Sequence, residues 1–149
     1  MESILTSIKK LLGISEEYEH FDADIIMHIN SAFMVLNQIG VGPEKCYFIE
    51  DKLNTWSEFL EDPTDLQMVK SYMHMKVKLL FDPPASSAVM ESMKQMINEF
   101  EFRLNIAVDN GEFSNMRSTK RIVLTDRTTN DDYELYVDNN NLHMNKSEG

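Results

Sequence analysis

The chain has 149 residues, 42% of them hydrophobic, which is room for one modest core and little more; wholesale disorder and a deep cofactor pocket are both disfavoured. Its net charge of −11 argues against a reader of phosphate backbones and against an anionic membrane surface. The single cysteine, Cys46, excludes an internal disulfide and any multi-cysteine metal site.

In chain order, Ile4, Leu5, Ile8, Leu11 and Leu12 recur at helical spacing, and Gly13-Ile14 fits a C-terminal cap with its hydrophobic contact. So short a helix is marginal alone and must dock. Asp22 can cap a second helix to about Ile39, with Ile25, Ile29, Ala32, Leu36 and Ile39 as its stripe, widened by Ile26 and Phe33. Gly40 and Gly42-Pro43 stop it. Residues 43–63 are mixed: a short strand at Cys46–Ile49, then a helical turn near Thr55–Leu60 whose Trp56, Phe59 and Leu60 plug onto the bundle.

Asp62-Pro63-Thr64-Asp65 reads as a turn into a third helix, about Asp65–Phe81. Leu66, Val69, Met73, Val77 and Leu80 form one of its sides; Tyr72, Met75 and Leu79 add a second apolar face. Asp82-Pro83-Pro84 ends it. Ser86 or Ser87 caps a fourth helix to about Val108, in which Met90, Met93, Ile97, Phe100, Leu104 and Ala107 keep a coiled-coil-like seam. Phe102 and Ile106 lie off that seam and suggest further burial.

Beyond a polar stretch at 110–119 the period changes to two. Ile122 and Leu124, then Tyr133, Leu135 and Val137, then Leu142 and Met144 mark three strands, with turns at Thr128–Asp131 and Asp138–Asn141. The expected fold is mainly α: a bundle of about four helices with a small C-terminal antiparallel β-meander. The expected domains are a helical unit at 1–109, a linker at 110–119, and the meander with its tail at 120–149.

Chemistry-bearing patterns are missing. His28 follows Asp24, and His20 follows Glu16, by four residues, the spacing of ordinary surface pairs; no second histidine stands at metal-ligand spacing. Gly40-Val41-Gly42 is followed by Pro and Glu, not by the Lys-Ser/Thr of a phosphate loop. No G-x-S-x-G occurs, and Asp138–Asn141 lacks the closing Glu of a calcium loop. No catalytic, metal or cofactor site is expected. No apolar run approaches the roughly 18 residues that span a bilayer, and Met1–Leu5 has no basic leader start. Synthesis in a cytoplasm without membrane insertion follows as the expectation.

Ser3–Ile14, Phe21–Ile26 and Leu36–Pro43, then Lys70–Val77, Leu79–Pro84 and Glu99–Asn105, resemble in order and composition the head–tail connector (adaptor) proteins of long-tailed bacteriophages. The resemblance covers about residues 1–108. It implies a helical bundle whose copies, usually about twelve, form a ring below the portal protein. That ring extends the DNA channel, binds no DNA sequence, and offers a docking face to the next head-completion or tail protein; the chain would reside in the virion neck.

On this basis the third and fourth helices are expected to supply subunit or portal contacts through Met68, Tyr72, Met75, Met96 and Phe102. Ile122, Leu124, Tyr133, Leu135 and Val137 of the meander would serve as a second docking device. Residues 14–65 hold twelve acids against Lys45 and Lys52, a local net of −10. Of these Glu44, Glu50, Asp51, Glu58, Glu61 and Asp62 would face the channel or the next ring. A rival reading uses the same acids as an acidic DNA mimic that inhibits a nucleic-acid-binding enzyme. A third, a small hydrolase built on His28 and Asp24, predicts that His28→Ala abolishes an activity.

Overall fold

The structure is a computed structural model that describes residues 2–60, 63–109, 122–126, 128–129, 131–138 and 141–146. It divides into two compact units, Met1–Arg117 and Ser118–Gly149. The first is helical and the second is a three-stranded antiparallel meander, so the protein is mainly α with a small C-terminal sheet.

Helix α1 (Ile4–Leu11) is capped by Ser3, whose side chain accepts from the Thr6 amide. It ends in a Schellman turn: Gly13, at φ 79°, donates to the Lys10 carbonyl at 3.2 Å, and Ile14 donates to the Lys9 carbonyl at 2.9 Å. Ile4, Leu5 and Ile8 are buried, but Leu11, placed in the same stripe by periodicity, is exposed. Lys9 on this helix is only 2% exposed; its Nζ lies 2.6 Å from Asp22 Oδ1 and donates to the Glu16 carbonyl at 3.0 Å.

That pair corrects the expected role of Asp22. Helix α2 (Asp22–Ile39) follows directly on a 3-10 turn, Glu19–Phe21, so Asp22 is its first helical residue, and Phe21 precedes it without a side-chain cap. Ile25, Ile29, Ala32, Phe33 and Leu36 form its buried face.

The expected strand at Cys46–Ile49 is absent: the segment forms no regular element. Its partner is a side chain. Asn30 donates Nδ2–H to the Ile49 carbonyl (3.0 Å) and accepts the Ile49 amide on Oδ1 (2.8 Å), satisfying both polar groups of a buried residue as a neighbouring strand would. Helix α3 (Trp56–Phe59) then seats Trp56, Phe59 and Leu60 in the core as expected. Trp56 Nε1 donates to Ser7 Oγ at 2.8 Å, and the Phe59 ring lies 4.7 Å from that of Phe33. Gly42, at φ 94°, lies against this cluster, where a Cβ would come within 2.3 Å of the Phe59 ring.

Helix α4 (Pro63–Phe81) starts at Pro63, so the expected turn through Asp65 is already helix. Proline suits a first helical position because the amide it lacks would have had no partner there. Val69, Tyr72, Met73 and Val77 are fully buried; Leu80, expected among them, is exposed. Ser86 caps helix α5 (Ser87–Asp109), accepting from the Val89 amide. Ile97, Leu104, Ala107 and Val108 are buried, with Met93 and Phe100 packed beside them. Helices α2, α4 and α5 pack on one another, and α1 rests on α2 and α4.

In the second unit, strands β1 (Ile122–Thr125), β2 (Asp132–Asp138) and β3 (Asn141–Lys146) run in sequence order. The first hairpin is closed by Asp126, whose Oδ1 accepts the amides of Thr128 (2.7 Å) and Thr129 (3.2 Å).

Candidate subunit interface

The helical repeat that sends Ile97 and Leu104 into the core sends Phe102 and Ile106 the other way. Both stand exposed on α5, at 65% and 42%. Where α5 meets α4, Met68, Met96, Phe100, Glu99 and Arg103 line an open groove of 290 Å³. Met68 and Phe100 are partly buried on its inner side, and Met96 is half exposed. Arg103 and Glu99 form its polar rim, with Nε and Nη2 donating to Glu99 Oε1 at 2.9 and 2.6 Å. An aromatic anchor, adaptable methionine side chains and a charged rim are the makings of a protein-binding surface.

The structure thus brings Met68 and Met96 together, with Phe102 on the outer side of the same helix. Tyr72 must be withdrawn from that set. It is fully buried within the bundle, and its hydroxyl donates to Glu101 Oε1 at 2.9 Å beside Lys76, whose Nζ lies 3.0 Å from the same oxygen. Burial, then the hydrogen bond to the Glu101 carboxylate, pushes the Tyr72 phenol well above its ordinary range. Met75 is partly buried against the core. Periodicity had no means of singling out Ile106 as exposed, nor Met27 and Met34, which stand seven residues apart on the solvent side of α2.

A second groove, of 440 Å³, opens between α1 and α4, with Ser7, Lys10, Leu11, Trp56, Lys70 and His74 in its walls. Lys70 pairs there with Glu2 and lies over the Trp56 ring, 5.5 Å from its centroid. Burial, reinforced by Lys78, holds the His74 imidazole below its ordinary value, against an opposing pull from the Leu11 carbonyl. His28, paired with Asp24 in the hydrolase reading, instead sets its ring edge-on to Phe81 at 6.4 Å. No three His, Cys, Asp or Glu side chains among the described residues converge as metal ligands. No helix among them is long and apolar enough to cross a membrane.

Of the acidic positions, Glu44, Glu50, Asp51 and Glu58 are exposed; Glu61 and Asp62 lie outside the described residues. Glu58 is engaged locally. It accepts the Tyr47 hydroxyl at 2.7 Å and the Thr55 amide at 3.3 Å, which hold its carboxyl below the ordinary range. In the sheet, Leu124 is exposed and Tyr133 and Leu135 are partly so; Ile122 and Val137 stand in register with Leu135 and Leu142.

The family model described as phage connector protein matches residues 4–111, most of the chain, and the chain belongs to that family. It is therefore a structural phage protein of the head–tail interface and a virion component, from a family that is not enzymatic and that interacts with other head and tail proteins. Neither a protein of curated function nor a solved structure gives a match. The family match ends before β1, so the sheet lies beyond it.

Proposed function

We propose that the protein is one subunit of a closed ring, of about twelve copies, seated between the portal and the next head-completion or tail component and extending the DNA channel. The observation that carries this reading is the α4/α5 face: Met96, Phe102 and Ile106 stay exposed although the bundle has already buried a complete core. Apolar surface of that kind is covered when copies assemble. The exposed acids Glu44, Glu50 and Asp51 suit a wall past which DNA slides, since like charges repel the phosphate backbone.

The test is native mass spectrometry and light scattering of the full chain with its portal protein. The wild type should give one closed complex of fixed copy number. Phe102→Asp should weaken copy-to-copy association by about thirtyfold, the loss of a ~2 kcal/mol hot spot, with unchanged helix content. Single copies bound to the portal, indifferent to Phe102, would contradict the reading. A small monomer or dimer that inhibits a nuclease in proportion to its acidic charge would favour the DNA-mimic alternative.

A further inference from the structure

Helix α4 has neighbours on two sides. Lys70 and His74 turn toward α1: Lys70 meets Glu2 and the Trp56 ring, and His74 meets the Leu11 carbonyl. Tyr72 and Lys76, about half a turn further round, turn toward Glu101 of α5. Helices α1 and α5 each pack on both α2 and α4, so they lie on opposite sides of that pair. The helical unit therefore has an α1 side and an α5 side. A contact handed from copy to copy around a ring is heterologous: it joins two unlike surfaces of the same chain.

These two sides match in shape and in charge. The α1 side is indented by the 440 Å³ groove, with Leu11 and Trp56 in its walls. On a chain of net charge −11 this groove is basic. It holds Lys10 and Lys70 against Glu2, and Lys10 meets no carboxylate among the described residues. The α5 side protrudes through Phe102 and Ile106, and its exposed charges near them are Glu99, Arg103 and Asp109, one net negative. Arg103 places both its nitrogens on Oε1 of Glu99, so Oε2 of that carboxylate is open to a second cation.

Other exposed apolar side chains of the helical unit are badly placed to fill the groove of a neighbour. Leu53 and Tyr18 stand on the α1 side themselves, their segments tied to α1 through the Asn54 and Glu16 carbonyls. Met27 and Met34 stand on α2 and Leu80 on α4, the pair between the two sides.

We infer that the outer side of α5 in one copy docks in the α1/α4 groove of the next, with Phe102 entering against Leu11 and Trp56 and Glu99 meeting Lys10. The inference rests on the ring reading and names the surface that covers α5 within it.

The experiment uses virions assembled from the full chain carrying Leu11→Cys and Phe102→Cys in a Cys46→Ser background. The two cysteines lie on opposite sides of one copy, so every disulfide joins two chains. Each docked copy has two neighbours, and oxidation should give a ladder of dimers, trimers and longer species. About tenfold more chain should be linked than in either single-cysteine variant, since a disulfide demands Cβ atoms about 3.5–4.5 Å apart. A ladder no stronger than that of Met27→Cys with Phe102→Cys overturns the docking. Wild-type virions treated with a carbodiimide replace the variant if it does not assemble: the docking predicts an amide between Lys10 and Glu99, and its absence overturns the docking. If virions that fail the test still show a ring by electron microscopy, the docking fails alone. If they carry the chain as single copies, the ring reading fails with it.

Discussion

Lys9 sits in the core because Asp22 meets it there. The ammonium is almost wholly buried, and its partners are the Asp22 carboxylate and the Glu16 carbonyl. Breaking such a pair leaves a charge in a poor solvent, so Lys9→Ala should lower stability by about 3–5 kcal/mol in urea unfolding. Lys9→Met with Asp22→Leu should recover most of that loss. Tyr47 gives a second residue-scale prediction. Burial, followed by its hydrogen bond to Glu58, raises the Tyr47 phenol to about 12. A pKa raised on folding stabilises fully below the ordinary value of 10 and is lost as pH rises through about 12. Glu58 behaves oppositely: its lowered value stabilises above the ordinary 4.5 and is lost as pH falls. Tyr47→Phe should therefore flatten both limbs of a plot of urea midpoint against pH, leaving the alkaline part that Tyr72 contributes. None of these partnerships was legible in the sequence. Asn30 and Ile49 are 19 residues apart, and Tyr72 and Glu101 are 29 apart. A side chain that replaces a strand leaves no periodic trace, which is why Cys46–Ile49 read as a strand.

The helices were legible because each buries one stripe, and 3.6-residue periodicity reports stripes directly. Boundaries and stripe edges were less so. Pro63 begins a helix as readily as it ends one, and Leu11 and Leu80 have the right spacing but face outward near helix ends. Two glycines separate local strain from packing. Gly13→Ala meets open space and pays only the left-handed backbone penalty, about 1–2 kcal/mol. Gly42→Ala adds a direct clash with the Phe59 ring and should cost about 1–3 kcal/mol beyond that in thermal unfolding. Helix α5 makes the corresponding contrast for function. Ile97→Ala, on the buried seam, should lose about 2–4 kcal/mol of fold stability. Phe102→Ser, on the exposed side, should change stability by no more than about 0.5 kcal/mol while impairing assembly. Equal loss of stability in both variants would mean that Phe102 serves the fold and not a partner.

At the scale of the molecule, the helical unit and the family match nearly coincide, and the sheet follows as a separate unit. The order of helices was readable from sequence because each is a local object. The candidate face was only half readable: Met68 and Met96 stood off their stripes, but exposure depends on what neighbouring helices leave uncovered. Tyr72 shows the limit, since an apolar second face on α4 proved to be interior. The central claim is that α5 presents its outer face to another copy of the chain within a ring. Cryo-electron microscopy of the virion neck tests it most directly. The predicted map shows a closed ring with Met96, Phe102 and Ile106 at the contact between adjacent copies. A ring in which this side of α5 faces open solvent, or a neck holding a single copy, would contradict it.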